Sequence, residues 1–197
     1  MNHRHFLIYK PYKMVSQFIT NDRHQRKKRF LGELFDFPED CMAVGRLDET
    51  SEGLLIITTD GQLSNQINKS DTFKKEYFAQ VDGVITDEAV DQLSNGVEIS
   101  VNGKPYLTSS CEVRRLDAIP ELPSTNQKIR DDRHGPSSWI SIILNEGKFR
   151  QVRKMTSAVG FPTLRLARVR IGSYSIENMN SGEVIELDDN QLRTAIS

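Results

Sequence analysis

The sequence GRLDETSEGLLIITTDG, at residues 45–61, is the most informative segment of this chain. It places Asp48 in a turn directly before a run of apolar and β-branched residues, Leu54–Thr59, which predicts a buried strand. A carboxylate that projects from a turn on a rigid sheet suits a nucleophile. Arg46, two residues earlier, can hold a phosphate or the carboxylate itself. The alternative is an ordinary turn aspartate that bonds its own backbone.

Outward from this stretch, short strands alternate with single helices. Thr86 is a predicted helix N-cap because two acidic residues and an apolar periodicity follow it. Asn102-Gly103 predicts a hairpin turn. Further strands are predicted over 6–9, 42–47, 76–81, 106–116, 139–144 and 164–171, further helices over 30–35, 62–68, 150–159 and 188–196, and an irregular segment over 118–136. This mixture indicates an α+β domain around a largely antiparallel sheet.

The composition fits a soluble globular protein, since 37% of the 197 residues are hydrophobic and 27% are charged. No apolar run approaches the ~20 residues that cross a bilayer, and the apolar start is too short for a signal peptide. Cys41 and Cys111 form no CxxC pair and no ligand set with the four histidines. We therefore expect reduced thiols, no bound metal and a cytoplasmic location.

The charges are segregated along the chain, although the formal net charge is only −1. Residues 147–176 contain no Asp or Glu and carry seven cations. A second basic cluster lies between Arg23 and Arg29, and the C-terminal tail is acidic. Segregation of this kind gives local potentials that suit nucleic acid, which the net charge does not reveal. Solvated strand and helix faces are the alternative.

Three motifs together resemble the RsuA-type pseudouridine synthases. The first is Gly-Arg-Leu-Asp, two spacer residues and Ser-Glu-Gly-Leu-Leu within residues 45–55. The second is KEYFAQV at 75–81, and the third is EGKFRQVRKM at 146–155. The similarity runs from Tyr9-Lys10-Pro11-Tyr12 to Ile171-Gly172-Ser173-Tyr174 and so covers nearly the whole chain. Within the family, the chain most resembles the RluE-like branch, whose substrate is large-subunit ribosomal RNA, at Ile129-Arg130, Pro136, Ser138-Trp139 and residues 159–166.

The resemblance implies the α+β pseudouridine synthase catalytic fold, with an extended, largely antiparallel mixed sheet in two halves, flanking helices and a central cleft. It implies one catalytic domain over residues 1–197, with one half of roughly 1–75 plus the C-terminal part and the other of 76–145. Because the domain is expected to start near Phe6, we expect no N-terminal RNA-binding module of the S4 type.

The resemblance also implies a reaction, the isomerisation of a specific uridine in 23S ribosomal RNA to pseudouridine. This reaction involves no redox change and no external group, so we expect no cofactor, and we expect a monomer. Asp48 is then the nucleophile, attacking ribose C1′ or base C6, or the base that forms a glycal. Arg153 pairs with that carboxylate, Tyr77 stacks under the flipped base and helps to remove the C5 proton, and Arg46 enters the gap left by the uridine or holds its phosphate. The expected phosphate contacts are Lys148, Arg150, Lys154, Arg165 and Arg168.

Other interpretations remain open at this point. Tyr77 can be a core aromatic and Arg153 a surface arginine of an amphipathic helix. Glycoside hydrolysis shares the attack at an anomeric carbon, but it needs a second facing carboxyl group, and Glu49 and Glu52 are too close to Asp48 in sequence. The remaining alternatives are a pseudouridine synthase for tRNA or 16S ribosomal RNA and a non-catalytic RNA-binding protein of ribosome assembly.

Overall fold

The computed structural model describes residues 3–20, 27–69, 73–188 and Leu192. Its strands are β1 (His5–Lys10), β2 (Met14–Val15), β3 (Arg29–Phe30), β4 (Met42–Val44), β5 (Glu52–Thr58), β6 (Lys75–Asp82), β7 (Glu98–Val101), β8 (Lys104–Leu107), β9 (Glu112–Leu116), β10 (Ser137–Leu144), β11 (Thr163–Ile171), β12 (Tyr174–Ser175) and β13 (Val184–Leu187). The helices are α1 (Gly61–Lys69), α2 (Asp87–Asn95) and α3 (Gln151–Ala158), with single 3₁₀ turns at Leu31–Glu33 and Asp132–His134. None of these helices is long and apolar enough to cross a membrane.

The chain forms two compact units. The first comprises Met1–Phe73, Pro123–Asn126 and Arg168–Ser197, and the second comprises Lys74–Leu122 and Gln127–Ala167. The boundary falls inside β11, whose residues up to Ala167 belong to the second unit.

In the first unit, β1 lies between β13 and β5 and is antiparallel to both. Leu7 and Tyr9 of β1 join one core cluster, and Phe6 and Ile8 join another, because successive side chains of a strand point to opposite faces. Strand β5 is buried on both faces in the same way, which explains its uninterrupted apolar run. Helix α1 contributes Leu63 and Ile67 to the first cluster.

In the second unit, β10 lies between β6 and β9 and is antiparallel to both. One core cluster joins this sheet to helices α2 and α3; its members include Ala79, Val81, Leu93, Ile140, Ile142, Val152 and Met155. The predicted hairpin turn is confirmed, since Asn102 and Gly103 connect β7 to β8 with φ angles of 52° and 76°. Thr86 is confirmed as the N-cap of α2, where its side chain accepts a hydrogen bond from the Ala89 amide.

Two predicted elements are wrong. The strand predicted over 106–116 is divided into β8 and β9, because Thr108 bonds to the backbone of Val97 and the Cys111 amide donates to the carbonyl of Ser94. The helix predicted over 30–35 is a single 3₁₀ turn, Leu31–Glu33. The helix predicted over 188–196 lies almost entirely outside the described residues.

Candidate active site

The Asp48 turn, residues 45–51, is held at its backbone on both sides of the aspartate. The hydroxyl of Ser16 donates to the Leu47 carbonyl at 2.9 Å and accepts from the Leu47 amide at 3.0 Å. The Ser51 amide donates to the carbonyl of Asp48 at 3.0 Å. Leu47 and Ser16 are buried, so these hydrogen bonds hold the backbone next to Asp48 in place. The Asp48 side chain itself is half-buried.

Three charged side chains, Lys10, Glu52 and Arg168, are buried beside this turn, each with at most 3% of its surface exposed. The Lys10 ammonium donates to the carbonyls of Pro11 at 2.9 Å and Met14 at 2.6 Å. The Arg168 Nε donates to the Leu54 carbonyl at 2.7 Å. Sequence reasoning missed this cluster. The only available signal was the position of Lys10 at the end of an otherwise apolar strand.

Burial lowers the pKa of Lys10 to about 7. The negative charges of Glu52, Asp48 and Glu49 act against this shift, and the positive charge of Arg168 adds to it. The backbone approach is also close here. A Cβ at Gly53, where φ is +109°, would lie 2.2 Å from the carbonyl oxygen of Arg168.

Tyr77 and Arg153, the other two predicted catalytic residues, belong to the second unit. Tyr77 lies on β6 opposite Ile142, and its half-buried ring packs against the core cluster of that unit. Arg153 lies on α3, where its Nη1 donates to the Thr163 carbonyl at 3.2 Å. The catalytic roles assigned to both residues stay predictions.

The predicted RNA-contact residues differ in exposure. Arg46, Lys148 and Arg150 are exposed, and Lys154 and Arg165 are half-buried. Arg168, by contrast, is 3% exposed and bonded to a main-chain carbonyl. A guanidinium buried in this way does not fit a surface contact with phosphate, and its place in the core explains why the sequence pattern misled.

The second basic cluster is partly neutralised. Lys28 lies 2.8 Å from the carboxylate of Glu49, and Arg29 pairs with Glu33 at 3.1 Å. Arg23 and Arg26 lie outside the described residues.

The loop before α3 contains a second network that sequence reasoning missed. The carboxylate of Glu146 accepts hydrogen bonds from the Tyr106 hydroxyl at 2.6 Å, the Ser109 amide at 3.0 Å and the Gln151 side chain at 2.6 Å. Burial raises the pKa of Glu146, but these bonds and the nearby Lys148 outweigh it and hold the pKa below its usual range. No local pattern signals the network, because Tyr106 and Ser109 come from a different part of the chain.

The described residues offer neither a metal-binding cluster nor a reactive thiolate. They contain no group of three or more His, Cys, Asp or Glu side chains that could hold a metal ion. Burial raises the pKa of both Cys41 and Cys111 to about 11, so both are neutral thiols near pH 7.

Comparison with known proteins agrees with the fold. Residues 4–158 match the family described as RNA pseudouridylate synthase. The chain therefore belongs to the RNA pseudouridylate synthase family, and its enzyme class is RNA pseudouridine synthase. The predicted fold class is confirmed by a solved pseudouridylate synthase, which superimposes with a TM-score of 0.75 over 99% of this chain and 75% of its own at 22% identity.

Two relatives indicate which branch of the family this chain resembles. The ribosomal large subunit pseudouridine synthase E of Xanthomonas axonopodis pv. citri (strain 306) is 42% identical over 172 residues, which cover 87% of each chain. The protein of the same name from Vibrio parahaemolyticus serotype O3:K6 is 33% identical over 187 residues, 94% of this chain and 74% of its own length. The resemblance to the RluE-like branch is thus confirmed.

Proposed function

We propose that this protein isomerises a specific uridine of large-subunit (23S) ribosomal RNA to pseudouridine. The observation that carries the proposal is the similarity to relatives named ribosomal large subunit pseudouridine synthase E, which are 33–42% identical over 87–94% of this chain. The proposal includes a single catalytic domain that acts as a monomer in the cytoplasm, on free RNA or on an assembling large subunit.

The reaction is an isomerisation that needs no redox partner. The bond between ribose C1′ and base N1 breaks, the base turns, and C1′ bonds to C5. The proton on C5 is then lost, and N1 gains one, so atoms and charge balance. The protein has to extrude the uridine, stabilise charge on the ribose or base, and move the C5 proton.

Asp48 is the proposed nucleophile, acting at C1′ or C6 or as the base that forms a glycal. Its support is the family motif together with the fixed backbone of the Asp48 turn. Arg153 is proposed to supply the positive charge that keeps this carboxylate ionised. Tyr77 is proposed to stack on the extruded base and to assist removal of the C5 proton. Its half-buried ring leaves part of its surface available.

RNA is proposed to contact exposed and half-buried cations of both units. Arg46 is assigned to the gap left by the uridine or to its phosphate. The backbone contacts are assigned to Lys148, Arg150, Lys154 and Arg165, since phosphate contacts position RNA without reading its sequence. Arg168 is not proposed to contact RNA, because its side chain is buried and bonded to the Leu54 carbonyl.

The test is pseudouridine mapping by carbodiimide-stopped primer extension on unmodified 23S transcript. The transcript is treated with wild-type protein, with Asp48→Asn and with Glu49→Gln, and RNA affinity is measured in parallel. Glu49→Gln is the matched control, because it makes the same carboxylate-to-amide change one residue away, at a side chain that pairs with Lys28. We expect one new stop with wild type and with Glu49→Gln, and none with Asp48→Asn, at similar affinity.

Other outcomes would redirect the assignment. The absence of a stop on both transcript and precursor particles would refute the 23S substrate, and tRNA and 16S ribosomal RNA would then be tested. Tight binding of RNA without pseudouridine formation on any of these would favour a non-catalytic role in ribosome assembly.

A further inference from the structure

The loop tip, Lys148–Arg150, is held by hydrogen bonds at its base. It belongs to the connection between β10 and α3, and the Glu146 carboxylate ties this connection to Tyr106, Ser109 and Gln151. Gln151 is buried, and its side-chain oxygen accepts a hydrogen bond from the Lys148 amide at 2.9 Å. The backbone of the tip is therefore held by several hydrogen bonds, so binding to it costs little backbone ordering entropy.

Phe149 is the apolar residue at this tip, and 68% of its surface is exposed. Cations surround it. Lys148 and Arg150 are its chain neighbours, and the Lys154 ammonium lies 5.4 Å from the centre of its ring. The ammonium of Lys154 also donates to the Ser100 carbonyl at 2.6 Å, which fixes it beside the ring.

An aromatic face beside cations is the combination that binds single-stranded nucleic acid, since bases stack on the ring and phosphates pair with the cations. A protein partner fits less well, because the cores of protein interfaces are depleted in lysine. The surrounding sequence also favours RNA, since residues 147–176 carry no carboxylate, and the Glu146 carboxylate just before them is engaged by Tyr106, Ser109 and Gln151.

We propose that Phe149 stacks on an unpaired base of the substrate RNA, one other than the uridine that is isomerised, while Lys148 and Arg150 contact the adjoining phosphates. The inference rests on the proposed function for the identity of the RNA. The stacking itself is testable on any single-stranded RNA.

The experiment compares Phe149→Ala, Phe149→Leu and Phe149→Trp with wild type in binding to poly(U) and to 23S transcript. Leu107→Ala is the matched control. Leu107 is 69% exposed and lies in the same unit, so its replacement removes a similar exposed apolar surface. Thermal unfolding verifies that each variant folds. We expect Phe149→Ala and Phe149→Leu to weaken binding by about 5- to 100-fold, the value of one stacked base. Phe149→Trp should restore binding, and Leu107→Ala should leave it unchanged.

Two further readouts separate stacking from electrostatics. Trp139 is the one tryptophan of the sequence and is 7% exposed, so Phe149→Trp adds a reporter whose fluorescence RNA should quench. Phe149→Ala should keep the slope of log affinity against log salt, because no cation is lost, whereas Lys148→Ala should reduce its magnitude by about one.

The inference is overturned if Phe149→Ala or Phe149→Leu binds both RNAs like wild type, or if saturating RNA leaves the Phe149→Trp fluorescence unchanged. A wild-type protein that forms no pseudouridine, together with weakened binding by Phe149→Ala, would refute the proposed function and leave the stacking in place. Pseudouridine formation by wild type with unchanged affinity in Phe149→Ala would refute the stacking alone.

Discussion

Replacing Lys10 by methionine tests how a buried cation beside the Asp48 turn affects stability. Lys10 is fully buried, and burial lowers its pKa from 10.5 to about 7 in the folded protein. Between these two values the unfolded chain holds a proton on Lys10 that the folded protein has lost. Stability must therefore rise with pH in this window, because unfolding takes up a proton.

The size of the effect follows from the two pKa values. Below pH 7 both states are protonated, and the full cost of burying the charge is present. That cost is lost as the pH rises from 7 towards 10.5. Between pH 7 and pH 9, the free energy of unfolding of wild type should increase by about 2 kcal/mol relative to Lys10→Met.

A second consequence of the substitution does not depend on pH. Methionine leaves the carbonyls of Pro11 and Met14 without the Lys10 amino group, which donates whether it is charged or neutral, and this costs about 1–3 kcal/mol at every pH. The informative quantity is therefore the change of the difference with pH, and not the difference at one pH.

The assay is urea unfolding of wild type and Lys10→Met at pH 7, 8 and 9, followed by circular dichroism. Lys104→Met is the control for the loss of one cation, since Lys104 is exposed on β8. A difference between wild type and Lys10→Met that stays constant from pH 7 to pH 9 would refute the reasoning. It would mean that Glu52 and the two carbonyls keep the ammonium charged despite its burial.

Two further predictions concern the Asp48 turn and the strand after it. Gly53→Ala should destabilise the protein by more than about 4 kcal/mol, because the new Cβ would meet the Arg168 carbonyl. Gly103→Ala, at φ +76° with no atom within 4 Å of the new Cβ, should cost only about 1–2 kcal/mol in the same urea titration. Ser16→Ala should lower kcat for pseudouridine formation by about 10- to 100-fold at unchanged RNA affinity, because it releases Leu47 next to Asp48. Thr86→Ala, which loses one capping bond for about 1 kcal/mol, should leave kcat unchanged, and equal kcat values for the two variants would contradict the positioning role of Ser16.

Elements that depend on a few neighbouring residues were predictable. The cap at Thr86 and the turn at Asn102-Gly103 follow from local hydrogen bonds and φ preferences, and the structure confirms both. The predicted strand over 106–116 failed because its interruption comes from bonds to Val97 and Ser94, which no periodicity of the segment itself contains.

The burial of a charged residue likewise depends on contacts that are distant in sequence. From the pattern of β11 alone, Arg168 looks like an outward-facing cation, but its side chain is buried against β5. Residues 166–169 of β11 are all buried, at the point where the strand passes from the second unit into the first. Which face of a strand is covered depends on the neighbouring elements, and a local pattern does not contain them.

The family and the candidate chemistry can be predicted from the chain alone, because three local motifs carry Asp48, Tyr77 and Arg153 in a fixed order. The burial of Lys10 and the exposure of Phe149 at the loop tip arise only when distant segments pack together. Lys10 is buried because strands distant in sequence pack around it. The base of the tip is held because Tyr106, forty residues before Glu146, donates to its carboxylate. Contacts between residues so far apart depend on how the whole chain folds.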